Sequence, residues 1–397
     1  MLYEAEIPDR VRSRQRAEIL HGSSRAPRLL INGRFLTRPL SGVDRTAGQI
    51  SAALADLAQG QGLDVACAVP ADAPDDGTIR ALLRFPSSVP IHRSRFKGYA
   101  WEQLVLPALC PGWTLLSLCN MGPVLRENQF VLIHDTQIYD MPESYAPAFR
   151  ATYRLLQPWL ARRARKVGTV SEHSRGRMQV HGLAKGRRIE VIANGADHAA
   201  FGPVDGGVFE RHGLEPGKYL LAMSQAAPHK NIAMLLEACT KRADRSIPLV
   251  LAGQAGAAAF GLEEANLPED VRFIGRVSDP ELNALYRNAR LLLFPSHTEG
   301  FGFPVLEAMS CGCPVLASRG GAVPEVGGDA ARYCDARDEE EWTRSIQALQ
   351  NDPERLAEMS AKGRDRARQF TWQRAAKQIM SALTERTMQE AEVAAIQ

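Results

Sequence analysis

The sequence predicts an α/β protein made of two doubly wound parallel sheets that face each other across a cleft. Three observations predict it. Short, continuously apolar runs recur along nearly the whole chain, helix-length segments separate them, and a Gly- and Pro-rich stretch at 195–218 divides the chain into similar halves. A sheet with one wet face alternates apolar and polar residues, whereas a parallel strand covered by helices on both sides is apolar throughout.

In the first half, "RLLING" (28–33), "DVACAVP" (64–70), "FVLIHD" (130–135), "KVGTVSE" (166–172) and "RIEVIANG" (188–195) read as buried strands. The stretch "NGADHAAFGPVDGGVFERHGLEPGK" that follows has no sustained period and reads as a linker. The second half repeats the pattern with "YLLAMS" (219–224), "PLVLAGQ" (248–254), "RFIGR" (272–276), "LLLFPS" (291–296) and "CPVLAS" (313–318). Beyond Glu339 the chain is charged and helical, with Ala375, Ile379, Ala382 and Leu383 at helical spacing. The expected units are an N-terminal extension (1–27), two sheet domains (28–200 and 201–372) and a C-terminal helix (373–397).

The length of 397 residues suits two domains with full cores. A net charge of +3 gives no global reason for a nucleic-acid partner. No apolar run reaches the roughly 18–20 residues of a membrane-spanning helix. The charged start "MLYEAEIPDRVRSRQRAEIL" lacks the apolar segment of a signal peptide, so a cytoplasmic location is expected. The seven cysteines are scattered and odd in number, which fits reduced thiols. Cys311 and Cys313 have no second Cys or His pair at metal-ligand spacing and read as small residues filling a helix end.

Ligands of doubly wound sheets bind beyond the carboxyl ends of the strands. After "LLLFPS" come Glu299 on the strand end, a turn at Gly300 and Gly302, and Pro304 at the first position of a helix running from Val305 to about Cys311. Glu307 falls in that first helical turn. The amides of Phe301 to Val305 attract anions, and the two carboxylates accept hydrogen bonds from vicinal hydroxyls. The constellation suits a ligand with sugars at both ends and negative charge between them. Lys230 and Asn231, opening the helix Ile232–Cys239, suit a diphosphate. Gly320 and Gly321 precede a short helix with Glu325, another source of amides for an anion. The loop of Gly275, Arg276 and Val277 suits the flank of a base. In the first half, Gly42 opens a helix where a ligand can approach, and Arg45 suits a phosphate or an acceptor. His134 and Asp135 end a strand at the cleft, and Ser171, Glu172 and Ser174 read as a helix cap. Each alone is also explained by a turn, a cap or a solvated side chain.

Taken together they resemble the retaining glycosyltransferases of family 4. The signature is Glu299-x7-Glu307 within "PSHTEGFGFPVLEAMSCGCPVLAS". The other landmarks follow in family order: the Gly42 loop, "HD" at 134, "VSEHS" at 170, "ANG" at 193, "HKN" at 229, "GRV" at 275 and "GG..PE" at 320–325. The resemblance covers roughly residues 28 to 385 and implies the GT-B fold, two Rossmann-like domains with the active site between them. It implies Glu307 on the donor ribose, Glu299 on the donor sugar and Lys230 on the diphosphate. Gly302, Phe303 and Pro304 would touch sugar and phosphate, and His134 would lie by the transferred sugar. It also implies a C-terminal helix crossing back to the first domain, a nucleotide diphosphate sugar as donor, retention of configuration and no cofactor. The chain has no D-x-D motif, in line with metal independence. It departs from many relatives in having Ser224 and His229, not Arg, near Lys230, which puts more of the phosphate charge on Lys230 and backbone.

The expected reaction moves a hexose, mannose from GDP-mannose first and glucose from UDP-glucose next, to a saccharide acceptor, polyprenyl-diphosphate-linked as in many relatives. A nucleotide-sugar epimerase of the same fold and a non-catalytic nucleotide-sugar-binding protein are the alternatives. The Glu-x7-Glu pattern argues against the first; intact Glu299, Glu307 and Lys230 argue against the second. Two stretches suit the anionic inner face of a cell membrane. "RATYRLLQPWLARRARK" (150–166) holds six basic residues and no acidic one among Leu155, Leu156, Trp159 and Leu160, and "HRSRFKGYAW" (92–101) adds Arg93, Arg95 and Lys97. A solvated helix face with an apolar core side is the alternative for the first.

Overall fold

The computed structural model describes residues 27–38, 41–263 and 267–396. The extension expected at 1–27 lies outside these residues except for Pro27. Among them, thirteen strands form two sheets, both entirely parallel. The first holds β1 (Arg28–Asn32), β2 (Asp64–Val69), β3 (Ile91–Arg93), β4 (Thr114–Ser117), β5 (Gln129–Leu132), β6 (Lys166–Thr169) and β7 (Ile189–Val191), in the order β3-β2-β1-β4-β5-β6-β7. The second holds β8 (Leu220–Ser224), β9 (Leu249–Gly253), β10 (Val271–Gly275), β11 (Leu291–Phe294), β12 (Val315–Ser318) and β13 (Arg332–Cys334), in the order β10-β9-β8-β11-β12-β13. Strand order therefore reverses between β1 and β4 and again between β8 and β11, the places where such sheets open a crevice.

The helices that position the site are α1 (Gly42–Gln61), α2 (Pro147–Arg163), α3 (Glu172–Val180), α4 (Ile232–Thr240), α5 (Asp279–Asn288), α6 (Phe303–Ser310), α7 (Val323–Gly327) and α8 (Trp372–Ile396). Helix α1 starts with a capping box: Ser41 accepts from the Asp44 amide and Asp44 reaches back to the Ser41 amide. Helix α3 is capped by Ser171, whose Oγ accepts from the Ser174 amide at 3.0 Å.

The unbroken apolar runs are explained by cores on both sides of each sheet. Along β8, Leu221 enters a core shared with the first sheet, while Leu220 and Ala222 enter a separate core with Trp342 and Ile346. Along β5, Phe130 joins the shared core and Val131 the opposite one. Alternate residues point to opposite faces, and both faces are dry. The shared core spans Leu29 and Ile31 of β1 and Val250 and Leu292 of the second sheet. Helix α8 closes it by crossing from the second sheet to pack on α1, burying Ala375, Ile379 and Leu383.

Three strands have no counterpart in the sequence-based reading. β3 and β13 are three-residue edge strands that each carry exposed polar residues beside an apolar one, and β4 has four residues between turns. The stretch read as an irregular linker carries helices at Asp197–Ala200 and Gly207–His212. They are too short to show a period. All seven cysteines are free thiols.

Ile379 is fully buried where α8 crosses. Ile379→Ala is expected to cost about 2–5 kcal/mol in urea unfolding, because it leaves a cavity in the shared core. Exposed Gln373→Ala on the same helix is expected to stay within about 0.5 kcal/mol.

Candidate active site

A cavity of about 330 Å³ opens between the start of α1 and the segments that follow β5, β6, β7, β8 and β11 of the two sheets. Gly42, Arg45, His134, Lys230, Glu299, Gly302, Phe303, Pro304 and Glu307 all line it. Gly302 sits at φ 96°, a left-handed conformation that disfavours any side chain, and turns the chain into α6. No side chain caps α6; Pro304 has no N–H and the Val305 amide donates to the Gly302 carbonyl at 3.1 Å, so what the first turn offers an anion is the Phe303 amide and the helix dipole. The turn before it is braced from below. A Cβ on Gly321 would lie 2.3 Å from the Glu299 carbonyl oxygen, so only glycine lets α7 approach so closely.

α6 begins at Phe303, two residues earlier than the sequence suggests, so Glu307 is buried in its second turn and not its first, and each carboxylate oxygen receives one donor. His198 Nε2 lies 3.0 Å from Oε1, and the Tyr286 hydroxyl donates to Oε2 at 3.3 Å. Burial alone would raise its pKa, but the His198 hydrogen bond and then the nearby positive charge of Arg45 work against that, and the pKa lies below the ordinary value. Glu307 is therefore an ionised, pure acceptor with lone pairs to spare, as a vicinal diol requires.

At the other end, Lys230 Nζ lies 2.8 Å from Glu299 Oε1, and both side chains are largely buried. Lys230 is aimed by its neighbour. Asn231 adopts φ 57°, and its amide donates to the Pro295 and Ala336 carbonyls at 3.2 and 2.7 Å, fixing the loop to the end of β11.

Three expected site residues are placed differently from the sequence-based reading. Val277 does not line the cavity; it packs at the edge of the shared core. Glu325 also lies outside the cavity. Its carboxylate accepts from the Glu172 and His173 amides at 2.8 and 3.1 Å, occupying the N-terminus of α3 across the cleft. Ser171 and Ser174 donate to the Gly300 carbonyl at 2.7 and 3.0 Å beside it. Arg45 lines the cavity but is already paired. Its guanidinium binds Asp279 at the start of α5 through two hydrogen bonds of 2.8 and 2.7 Å. Sequence cannot show that residues 234 positions apart meet across a cleft. A second cavity of about 300 Å³ lies beyond this pair, and Arg45 and Glu307 line both.

A family model described as glycosyl transferases group 1 matches residues 208–366. O-antigen chain mannosyltransferase B of Escherichia coli is 33% identical over 273 residues, covering 66% of this chain and 71% of that protein. The chain belongs to the group 1 glycosyltransferases. MMP alpha-(1->4)-mannosyltransferase of Mycolicibacterium hassiacum is 30% identical over 286 residues, covering 68% of each chain. A structure of Anabaena HepE with UDP and glucose aligns with a TM-score of 0.68 at 18% identity, covering 90% of this chain and 100% of that one. The glycosyltransferase thus has the GT-B architecture of two Rossmann-like domains.

Several groups of this glycosyltransferase's cavity escaped the sequence-based selection. Asn194, just after β7, lines it with its Oδ1 engaged by Thr46 at 3.2 Å and its buried Nδ2 without a partner. The "ANG" landmark marks the position, but not the free donor. Gln225 also lines the cavity, as does Asp135, the second residue of the "HD" landmark already read at the cleft. Burial, and then the nearby charge of Glu299, raise the Asp135 pKa. His198 and Tyr286 lie in the linker and on α5, and no local signal ties them to Glu307.

His134 Nε2 lies 2.8 Å from the Leu118 carbonyl, so Nε2 carries the proton and only Nδ1 is left to accept from a ligand. Burial lowers the His134 pKa to about 4. In the unfolded chain it returns to about 6.5, so between these values the unfolded state binds more protons. This contribution to stability is complete above about pH 6.5 and is lost as the pH falls towards about 4. His134→Gln, which keeps a donor and does not titrate, is expected to remove up to about 3 kcal/mol of the acid-induced loss, read from urea unfolding at pH 7.5 and pH 4.5.

Proposed function

We propose that this glycosyltransferase is a retaining hexosyltransferase of family 4 that moves mannose from GDP-mannose to a saccharide acceptor carried on polyprenyl diphosphate. The observation that carries this reading is the arrangement of Glu307, the uncapped N-terminus of α6, Lys230 and Glu299 along one cavity. Acceptor groups for hydroxyls stand at both ends, with donors for negative charge between them. The names of two relatives, both mannosyltransferases and one acting on an O-antigen chain, favour mannose and a surface polysaccharide.

In this reading Glu307 accepts from the two ribose hydroxyls and Glu299 accepts from the sugar, while Lys230 turns from Glu299 to the diphosphate. The bond between the sugar's anomeric carbon and the phosphate oxygen breaks, and its electron pair stays on the phosphate. Lys230, the Phe303 amide and the α6 dipole stabilise that developing charge. The acceptor hydroxyl attacks the same face of the oxocarbenium-like sugar, and its proton passes to the departing phosphate oxygen, which retains configuration. His134, neutral and with Nε2 committed, accepts from a sugar hydroxyl through Nδ1. The chemistry uses no metal in this scheme.

The acceptor's lipid would place the enzyme at the cytoplasmic face of a membrane. No helix among the described residues is long and apolar enough to cross one. On α2, Leu160 and Tyr153 face the core, while Leu155 and Trp159 are 65% and 54% exposed beside Arg154, Arg162 and Arg163. Phe96, 60% exposed, lies between exposed Arg95 and Lys97, whereas Trp101 is fully buried. Exposed apolar side chains among arginines and lysines match an anionic bilayer surface.

A thermal-shift screen of UDP, GDP, ADP and their sugars is expected to show a selective rise with GDP and GDP-mannose. At a hundred times Kd the stabilisation is about 2.7 kcal/mol. Glu307→Ala is expected to abolish both the shift and turnover; a fully active variant overturns the assignment. With liposomes rich in anionic lipid at low salt, the protein is expected to float, and Leu155→Ser with Trp159→Ser is expected to keep it in the soluble fraction.

A further inference from the structure

We infer that His198 is the positioning residue for Glu307, and that the indole of Trp372 selects the imidazole tautomer that does this. The inference rests on the reading of Glu307 as the ribose-binding carboxylate, and deepens it.

A carboxylate that receives a diol must hold both oxygens at fixed positions, because a bidentate contact tolerates little rotation. Glu307 cannot hold itself. It lies in the second turn of a short helix whose N-cap is a glycine, and its own side chain has three rotatable bonds. Two donors fix it here, Tyr286 on Oε2 and His198 on Oε1. Tyr286 comes from α5 within the same sheet domain, and a hydroxyl always has a hydrogen to donate. His198 is different. A neutral imidazole carries one proton, and if that proton sat on Nδ1, the lone pair of Nε2 would face a carboxylate and repel it.

The structure resolves that choice. Trp372 Nε1 lies 3.1 Å from His198 Nδ1, and an indole N–H can only donate. Nδ1 is therefore the acceptor, and the proton resides on Nε2, 3.0 Å from Glu307 Oε1. The two rings also pack at 5.7 Å between centroids, and Asp197 beside His198 accepts from the Trp372 amide at 3.0 Å. Both side chains are buried. The indole, imidazole and carboxylate thus form a directed chain of hydrogen bonds, Trp372 to His198 to Glu307. It runs from the first residue of the crossing helix α8, through the interdomain linker, to the donor site. His198 itself lines the second cavity and not the first, so it acts through Glu307.

The test is a double-mutant cycle on donor affinity. Titration calorimetry with GDP and UDP measures binding without turnover, and donor KM and kcat are measured separately. His198→Leu is expected to weaken binding of the preferred nucleoside diphosphate, and to raise donor KM, by about tenfold, with kcat changed less than about threefold. His198→Gln is expected to restore most of the affinity, since its amide N–H reaches the same oxygen and has no tautomer to select. Trp372→Phe keeps an aromatic ring in the core but removes the N–H. It is expected to weaken binding about three- to tenfold when residue 198 is His, and to have no further effect in His198→Gln. A thermal melt of each variant checks that the fold persists.

Unchanged affinity in His198→Leu would overturn the inference. So would an equal loss from Trp372→Phe in both backgrounds, which marks a packing role alone. Failure of the unaltered protein to bind any nucleoside diphosphate would remove the ribose reading, and the inference with it. That result appears in the first titration, before any variant is compared.

Discussion

Phe301 and Phe303 meet edge-on at 5.5 Å within the turn after β11, and Phe370 and Trp372 close around them at 6.2 and 6.1 Å. This aromatic cluster ties the turn that presents Glu299 and Glu307 to the start of the helix that returns to the first sheet. The ring of Phe303 also lies 3.5 Å from where a Cβ on Gly42 would stand. The cluster therefore fixes the loop of one sheet domain against the helix start of the other. Aromatic rings bury large areas in defined geometries, and one such contact sets a spacing that small residues would leave loose.

With that spacing set, the rest of the site is a problem of compensating buried charge. Glu307, Glu299 and Lys230 are all taken largely out of water, and each has a partner within the chain. Glu307 has His198 and Tyr286, while Lys230 and Glu299 have each other. A buried charge left alone is costly, so the partners keep the site assembled before the donor arrives. In the proposed reaction the Lys230–Glu299 pair separates, one partner to phosphate and the other to sugar. Two contacts across the cleft complete the frame: Arg45 with Asp279 on one side, and Glu325 at the head of α3 on the other.

Much of this was legible in the chain. The continuous apolar runs announced parallel strands because both faces of each sheet are dry, as the split of Leu220 and Leu221 between two cores shows. The turn after "LLLFPS" was legible because Gly302, Pro304 and the apolar run that follows are local signals. Short strands were not. Ile91–Arg93 and Arg332–Cys334 lie at sheet edges, where polar residues are tolerated and no pattern forms in three residues. The candidate site divides in the same way. Residues directly after strands could be found, whereas His198, Tyr286 and Trp372 could not, since their meaning lies in contacts between distant segments.

The α/β class, the division into two similar halves and the strand ends where chemistry can occur are written in the amino-acid order, because they follow from local periodicity and turn chemistry. Which of those groups face one another is set by the packing of the two sheets. It placed Arg45 on Asp279, gave Glu325 to the α3 amides and set Val277 against the core, away from the cavity. It also joined Trp372, His198 and Glu307 in one hydrogen-bonded line. The reason is physical: a hydrogen bond depends on distance and direction, and both are set by how the two sheets pack, which no local stretch of chain encodes.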